Sequence, residues 1–267
     1  MCTVLKHKFQ FWLLGCWCVI LLAACWPDSE PDIRPPPLDG KAQTEQILLA
    51  ATVRLRLETW LVNENEQGYT ILASEGHGTV VNCRFLITHS HHTIPLSLSE
   101  AGLDPDIYTR LFIFNTDGEL INTLPFTDFQ IGLREPQMLL LVYVGEKEEL
   151  PFGTVGLKVE QVQVGTAVLL EPDAEVAQIN WDGQTTRVEW TQVTAVYPQH
   201  EPPCVELASQ PQLGSSGGGI FWQGQHIGNT WLKGIRTGAA NGGTCQYSKA
   251  ALNSPELLAY FVNHALP

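Results

Sequence analysis

From Val53 onward, apolar residues recur at every second position in short runs, and turn-forming residues separate the runs. Val53, Leu55 and Leu57 open the series, Tyr69 and Ile71 continue it, and Thr79 to Val81 and Phe85 to Ile87 complete the first group. A period of two puts alternate side chains on one face of an extended chain, so each run predicts a half-buried strand. Further strands are predicted at Leu111 to Phe114, Met138 to Val144, Val155 to Val159, Ala167 to Glu171, Ala177 to Trp181, Val188 to Val196, Ile220 to Trp222 and Ile227 to Trp231. Helical signals are confined to the two ends of this body. The stretch AQTEQILLAAT predicts a short helix before the first strand. Near the C-terminus, Ser254 can cap, Pro255 takes the first helical position and Glu256 suits the positive end of the dipole of LLAYFVNHAL. No repeat occurs at solenoid spacing. The pattern therefore predicts an all-β body with one short C-terminal helix.

The N-terminus has a different composition. Lys6 and Lys8 precede an apolar run from Phe9 to Ala24 that closes on Leu22-Ala23-Ala24-Cys25. This is the layout of an export signal, and its ending resembles the bacterial lipobox, which implies that Cys25 is lipidated and becomes the mature N-terminus. The alternative is an uncleaved membrane anchor, but a spanning helix wants about 20 apolar residues, and this run is shorter and interrupted by Gln10. Residues 1–25 are thus read as signal or anchor, 26–46 as a Pro-rich, charged tether (PDSEPDIRPPPLDG within it) and 47–267 as one folded domain. The expected location is extracytoplasmic and tethered to a membrane. The whole chain of 267 residues has 28 acidic and 15 basic residues, a net charge of −13. Such a surface repels phosphate backbones and argues against a nucleic-acid partner.

Chemistry concentrates in two places. The string GSSGGG, Gly214 to Gly219, precedes the strand-like IFWQGQHIG, and a serine set among glycines before a strand lets two amide N–H groups converge on one oxyanion. Upstream, Gly78-Thr79-Val80-Val81 and Phe85-Leu86-Ile87-Thr88 lead into His89-Ser90-His91, where a strand ends on a histidine. A serine hydroxyl is a poor nucleophile at neutral pH and needs such a base beside it.

Together these segments resemble the trypsin-like (chymotrypsin-fold) serine proteases, with their G-S-G-x-V strand, L-T-A-A-H strand end and G-D-S-G-G loop. The resemblance implies two packed six-stranded Greek-key β-barrels and a serine endopeptidase acting on proteins or peptides as a monomer, without metal or cofactor. It places the general base at His91, the nucleophile at Ser216 and the oxyanion hole at the amides of Gly214 and Ser216. The family's aspartate falls on Gln137, which carries no charge to stabilise an imidazolium. Glu135 or Asp128 could supply the missing carboxylate. Ser215 stands where the family has aspartate, and Gly219 where it has proline. Gln210 falls at the base of the substrate pocket, and Asn229, Thr230 and Trp231 on its wall. The resemblance also implies a disulfide between Cys204 and Cys245, leaving Cys83 unpaired, as an oxidising compartment permits.

Two rival readings use the same residues. A trypsin-like barrel that has lost catalysis could hold a peptide or protein in its cleft, as Gln137, Ser215 and Gly219 suggest. The segment from Thr88 to Ile94 also resembles the T-H-x-H-x-D-H zinc motif of metallo-β-lactamases, although Thr93 and Ile94 replace its last two ligands. Trp60, Trp181, Trp190, Trp222 and Trp231 fall in strand patterns, where packing is the ordinary role.

Overall fold

The computed structural model describes residues 40–62, 68–81, 84–92, 109–135, 137–145, 163–165, 170–198, 203–230 and 250–264. The alternating runs become two antiparallel sheets. The first contains β1 (Thr52–Val62), β2 (Gly68–Val80), β3 (Phe85–Thr88), β4 (Thr109–Phe114), β5 (Leu120–Pro125), β6 (Phe129–Arg134) and β7 (Leu139–Tyr143), in the order β5-β4-β1-β2-β3-β7-β6. Its inward positions Val53, Leu55, Leu57, Leu86, Leu111, Ile113, Leu139 and Leu141 pack with Phe126, Phe129 and Tyr143 in one core.

The second sheet contains β8 (Gln163–Val164), β9 (Glu175–Trp181), β10 (Thr186–Tyr197), β11 (Cys204–Leu207), β12 (Gly219–Trp222), β13 (Gln225–Thr230) and β14 (Ala250–Leu252). The order β12-β9-β10-β11-β14-β13, with β12 also pairing β13, closes six strands into a ring, and β8 adds to β13 in parallel. Closure removes the exposed edges that an open sheet would present. Inside lie Val176, Val193, Val205, Ile220, Ile227, Ala250 and Leu252. The architecture is the trypsin-like double barrel expected from the sequence, although β6 and β8 give each sheet a seventh strand. The strand expected at Val155 to Val159 lies outside the described residues, as does most of the one expected at Ala167 to Glu171.

Both helices buttress the barrels. Helix α1 (Gly40–Ala50) is the short helix expected over AQTEQILLAAT, begun two residues earlier. Leu48 of α1 and the adjoining Ala51 pack with Ala177, Ile179 and Phe221 of the second barrel. Trp190 donates its Nε1–H to Glu45 at 2.6 Å, and Lys41 pairs with Glu175. Helix α2 (Pro255–His264) lies against the first barrel, where Leu257 packs with Phe85, Ile87, Met138 and Leu140. Ser254 accepts the Leu257 N–H at 3.0 Å, the capping expected from the sequence. Among the described residues, no helix is long and apolar enough to cross a membrane.

Polar bonds join the barrels along one line. The His77 N–H donates to the Ser216 carbonyl at 2.8 Å, the Thr186 N–H to the Thr116 carbonyl at 3.2 Å, and the Asn229 side-chain amide to the Thr88 carbonyl at 3.2 Å. The first and third of these bonds come from the two segments that the sequence singled out.

Candidate active site

The nucleophile loop lies between β11 and β12, folded against β2 of the other barrel. Gly214 and Gly217 have φ of +98° and +83°, a region open to glycine and costly for other residues. A Cβ on Gly217 would strike the His77 carbonyl, so that glycine is also required by the closeness of the two barrels. The Ser215 N–H donates to Gln212, the Gly217 N–H to the Thr230 carbonyl and the Gly218 N–H to the Ser215 carbonyl. The amides of Gly214 and Ser216 enter no hydrogen bond among the described residues. Two unspent donors on either side of Ser215 are what an oxyanion hole requires.

Ser215 has its own anchor in place of the family's carboxylate. Its Oγ donates to Asn180 Oδ1 at 2.6 Å and accepts the Trp181 N–H at 2.9 Å. The same Asn180 oxygen accepts from Gln212, while its amide donates to Glu189 at 2.6 Å. The loop is therefore fastened to β9 by neutral groups, and Asn180 is a positioning residue that the sequence reading missed.

His91, the base expected from the sequence, lies in the turn after β3. The His92 N–H donates to the His89 carbonyl, which closes a turn across Ser90 and His91. His91 is half-buried, and its Nε2 lies 3.1 Å from His92 Nε2. His92 is wholly buried, and its Nδ1 lies 3.1 Å from Ser74 Oγ. Burial first, and then the neighbouring histidines, push the His92 pKa well below its usual value, so its ring is neutral. Gly76 is where the base turn and the nucleophile loop meet. A Cβ there would strike the Ser216 carbonyl and would lie 3.0 Å from His92 Nε2 and 3.4 Å from His91 Nε2.

The pairing of β3 on β7 ends with Thr88 opposite Leu139, and Gln137 lies two residues before that partner, just ahead of β7. Gln137 is buried there, and its Oε1 has no hydrogen-bond partner. Glu135 is committed elsewhere: it accepts from Ser254, the cap of α2, and burial raises its pKa. Asp128 is half-buried in the turn before β6, where its carbonyl accepts the Val144 N–H.

The expected pocket residues divide. Gln210 is exposed. Asn229 and Thr230 are fully buried, with side chains spent on the fold: Asn229 accepts from His226 Nε2 and donates to Thr88, and Thr230 accepts from Gln178. Trp231 and Cys245 lie outside the described residues, as do Cys25 and Cys83. Cys204 is buried and disulfide-bonded. Among the described residues, no three His, Cys, Asp or Glu side chains are placed to hold one metal ion.

No protein-family model matches the chain, and no curated protein does. Solved structures do. The HtrA-type protease AlgW with a decapeptide is similar at a TM-score of 0.51 and 16% identity, over 84% of this chain and 67% of that one. The protease Rv3671c from M. tuberculosis in its active form gives 0.47 and 13%, over 90% and 93%, and Deg5 gives 0.47 and 16%, over 71% and 83%. These neighbours are serine proteases of the two-barrel type, and the likeness to the first supports the same fold here.

Proposed function

We propose that the chain is an exported, membrane-tethered serine endopeptidase that hydrolyses peptide bonds through an acyl-enzyme. Ser216 attacks the peptide carbonyl and passes its proton to His91. The amides of Gly214 and Ser216 hold the tetrahedral oxygen, and His91 returns the proton to the leaving amine before water releases the acyl group. The observation that carries this reading is the pair of unspent loop amides flanking Ser215, set against a histidine turn across Gly76. The decapeptide with the HtrA-type protease AlgW fits a peptide ligand in such a cleft. Cys25 carries the lipid, and Cys204 pairs with Cys245, bracketing the loop.

The detergent-solubilised full chain, treated with a fluorophosphonate probe, tests the reading, because only an activated serine reacts. Labelling that disappears in both Ser216→Ala and His91→Ala supports it. A folded wild-type chain that never labels leaves the second reading, a barrel that binds peptides without cutting them. That second reading draws on an amide, Gln137, where the sequence resemblance expects a carboxylate, and on the engagement of His91 Nε2 by His92.

A further inference from the structure

His77 stands outside the proposed catalytic pair, yet it touches the nucleophile loop twice. Its ring is completely buried between the barrels. Nδ1 lies 2.9 Å from the Gly214 carbonyl, which can only accept, so Nδ1 carries the proton. Nε2, 2.8 Å from Thr186 Oγ1, then accepts from that hydroxyl. The backbone N–H of His77 donates to the Ser216 carbonyl at 2.8 Å. One residue of the first barrel thus grips the carbonyls on both sides of Ser215.

The Gly214 carbonyl is the critical one. Gly214 has φ of +98°, a conformation in which glycine moves freely unless its neighbouring peptides are held. On its other side Trp181 closes in, with its Cδ1 2.7 Å from where a Cβ would stand. Trp181 in turn packs against His77, with ring centroids 6.0 Å apart. Pinning the carbonyl fixes the peptide plane after Gly214, which carries the Ser215 N–H, and so restrains ψ of Gly214, one of the two torsions that set where its own N–H points.

We propose that His77 is a positioning residue for the oxyanion hole: its Nδ1–H holds the Gly214 carbonyl, restrains the rotation of Gly214 and so limits the directions in which the Gly214 N–H can face the tetrahedral oxygen. The proposal rests on the peptidase reading. Burial lowers the His77 pKa to about 4, so the ring stays neutral and keeps this proton arrangement at physiological pH.

The test is the second-order rate of fluorophosphonate labelling of the full chain as a function of pH. Loss of one oxyanion donor costs about 100-fold or more, so His77→Leu lowers the plateau by about that factor. The pH midpoint set by His91 stays in place, because the base is untouched. His77→Asn keeps a donor at the Nδ1 position and labels within about fivefold of wild type. Thr186→Val removes the hydroxyl that holds the proton on Nδ1 and lowers the plateau about tenfold. That loss is absent when Thr186→Val is combined with His77→Asn.

A folded His77→Leu that labels at the wild-type rate overturns the proposal, as does a His77→Asn that falls as far as His77→Leu. Where His77→Leu does not fold, wild-type labelling by Thr186→Val overturns it instead. A wild-type chain that never labels overturns the peptidase reading itself, and this inference with it.

Discussion

The imidazoles of His91 and His92 meet edge to face, with ring centroids 4.3 Å apart and Nε2 atoms separated by 3.1 Å. One proton lies between the two nitrogens, and Ser74 Oγ extends the chain on the far side of His92. In the Ser-His-Asp template, the nitrogen that receives the serine proton is Nε2. Here that nitrogen is turned toward a neutral, buried neighbour, so under the proposed mechanism His91 must leave His92 before it can serve Ser216.

Breaking that bond has a measurable weight. A neutral hydrogen bond contributes about 0.5–1.5 kcal/mol net, which converts to roughly a two- to tenfold change in the population of the released ring. His92→Leu is therefore expected to raise the fluorophosphonate labelling rate by about that factor. A rate that falls would show that His92 supports His91 and does not restrain it.

Gln137 offers the complementary gain. Its Oε1 is buried and has no partner among the described residues, and the sequence resemblance aligns this position with the triad aspartate. In chymotrypsin-type proteases the acid-to-amide change costs about 10⁴-fold in turnover, so Gln137→Asp is expected to raise labelling by at least about tenfold. A buried carboxylate also carries a desolvation cost of several kcal/mol, so the same variant should melt earlier unless His91 becomes charged beside it. A variant that is folded but no faster would place the ring of His91 out of reach of position 137.

The fold was legible because its core strands alternate: Val53, Leu55 and Leu57 point inward as the period requires, and the strand-end and loop segments bearing His91 and Ser216 come together across Gly76. Some strands were not legible. β14 is three residues, Ala-Ala-Leu, too few to display a period; β11, Cys-Val-Glu-Leu, lacks the continuous apolar run that marked the equally short β3 and β12; and Pro125 and Asp128 broke the pattern around β5 and β6. His77, His92 and Asn180 were missed because their roles arise from burial between elements distant in sequence. A histidine flanked by Gly76 and Gly78 in an apolar strand was the one available hint, since such glycines mark close approach of another backbone.

That close approach sets the next expectation. A Cβ at Gly217 would meet the His77 carbonyl in a backbone already at positive φ, whereas Gly183, also at positive φ, faces open space. Gly183→Ala should cost about 1 kcal/mol, the intrinsic penalty for the left-handed conformation. Gly217→Ala should cost several times more and abolish labelling, because the loop must move away from β2. Urea denaturation of the two variants compares them directly. Equal costs would mean that the barrels are less tightly apposed at the loop.

Acid should loosen the same seam. His77 is buried between the barrels and His226 within the second barrel, and burial holds both pKa values near 4, against about 6.5 in the unfolded chain. Between those values the unfolded state binds more protons. The stability these neutral rings contribute is therefore whole above pH 6.5 and is lost as pH falls toward 4, at about 1.4 kcal/mol per pH unit for each ring. His92, lowered by burial in the same way, adds to the slope. Glu135, whose carboxyl is raised by burial, titrates with the opposite sign and softens it. Urea midpoints should fall steadily from pH 7 to 5. His77→Asn should flatten the slope by one histidine's share while keeping the bond to Gly214. A midpoint that does not change across that range would mean that the junction admits solvent to these rings, and that the loop is not held to β2 by a neutral His77.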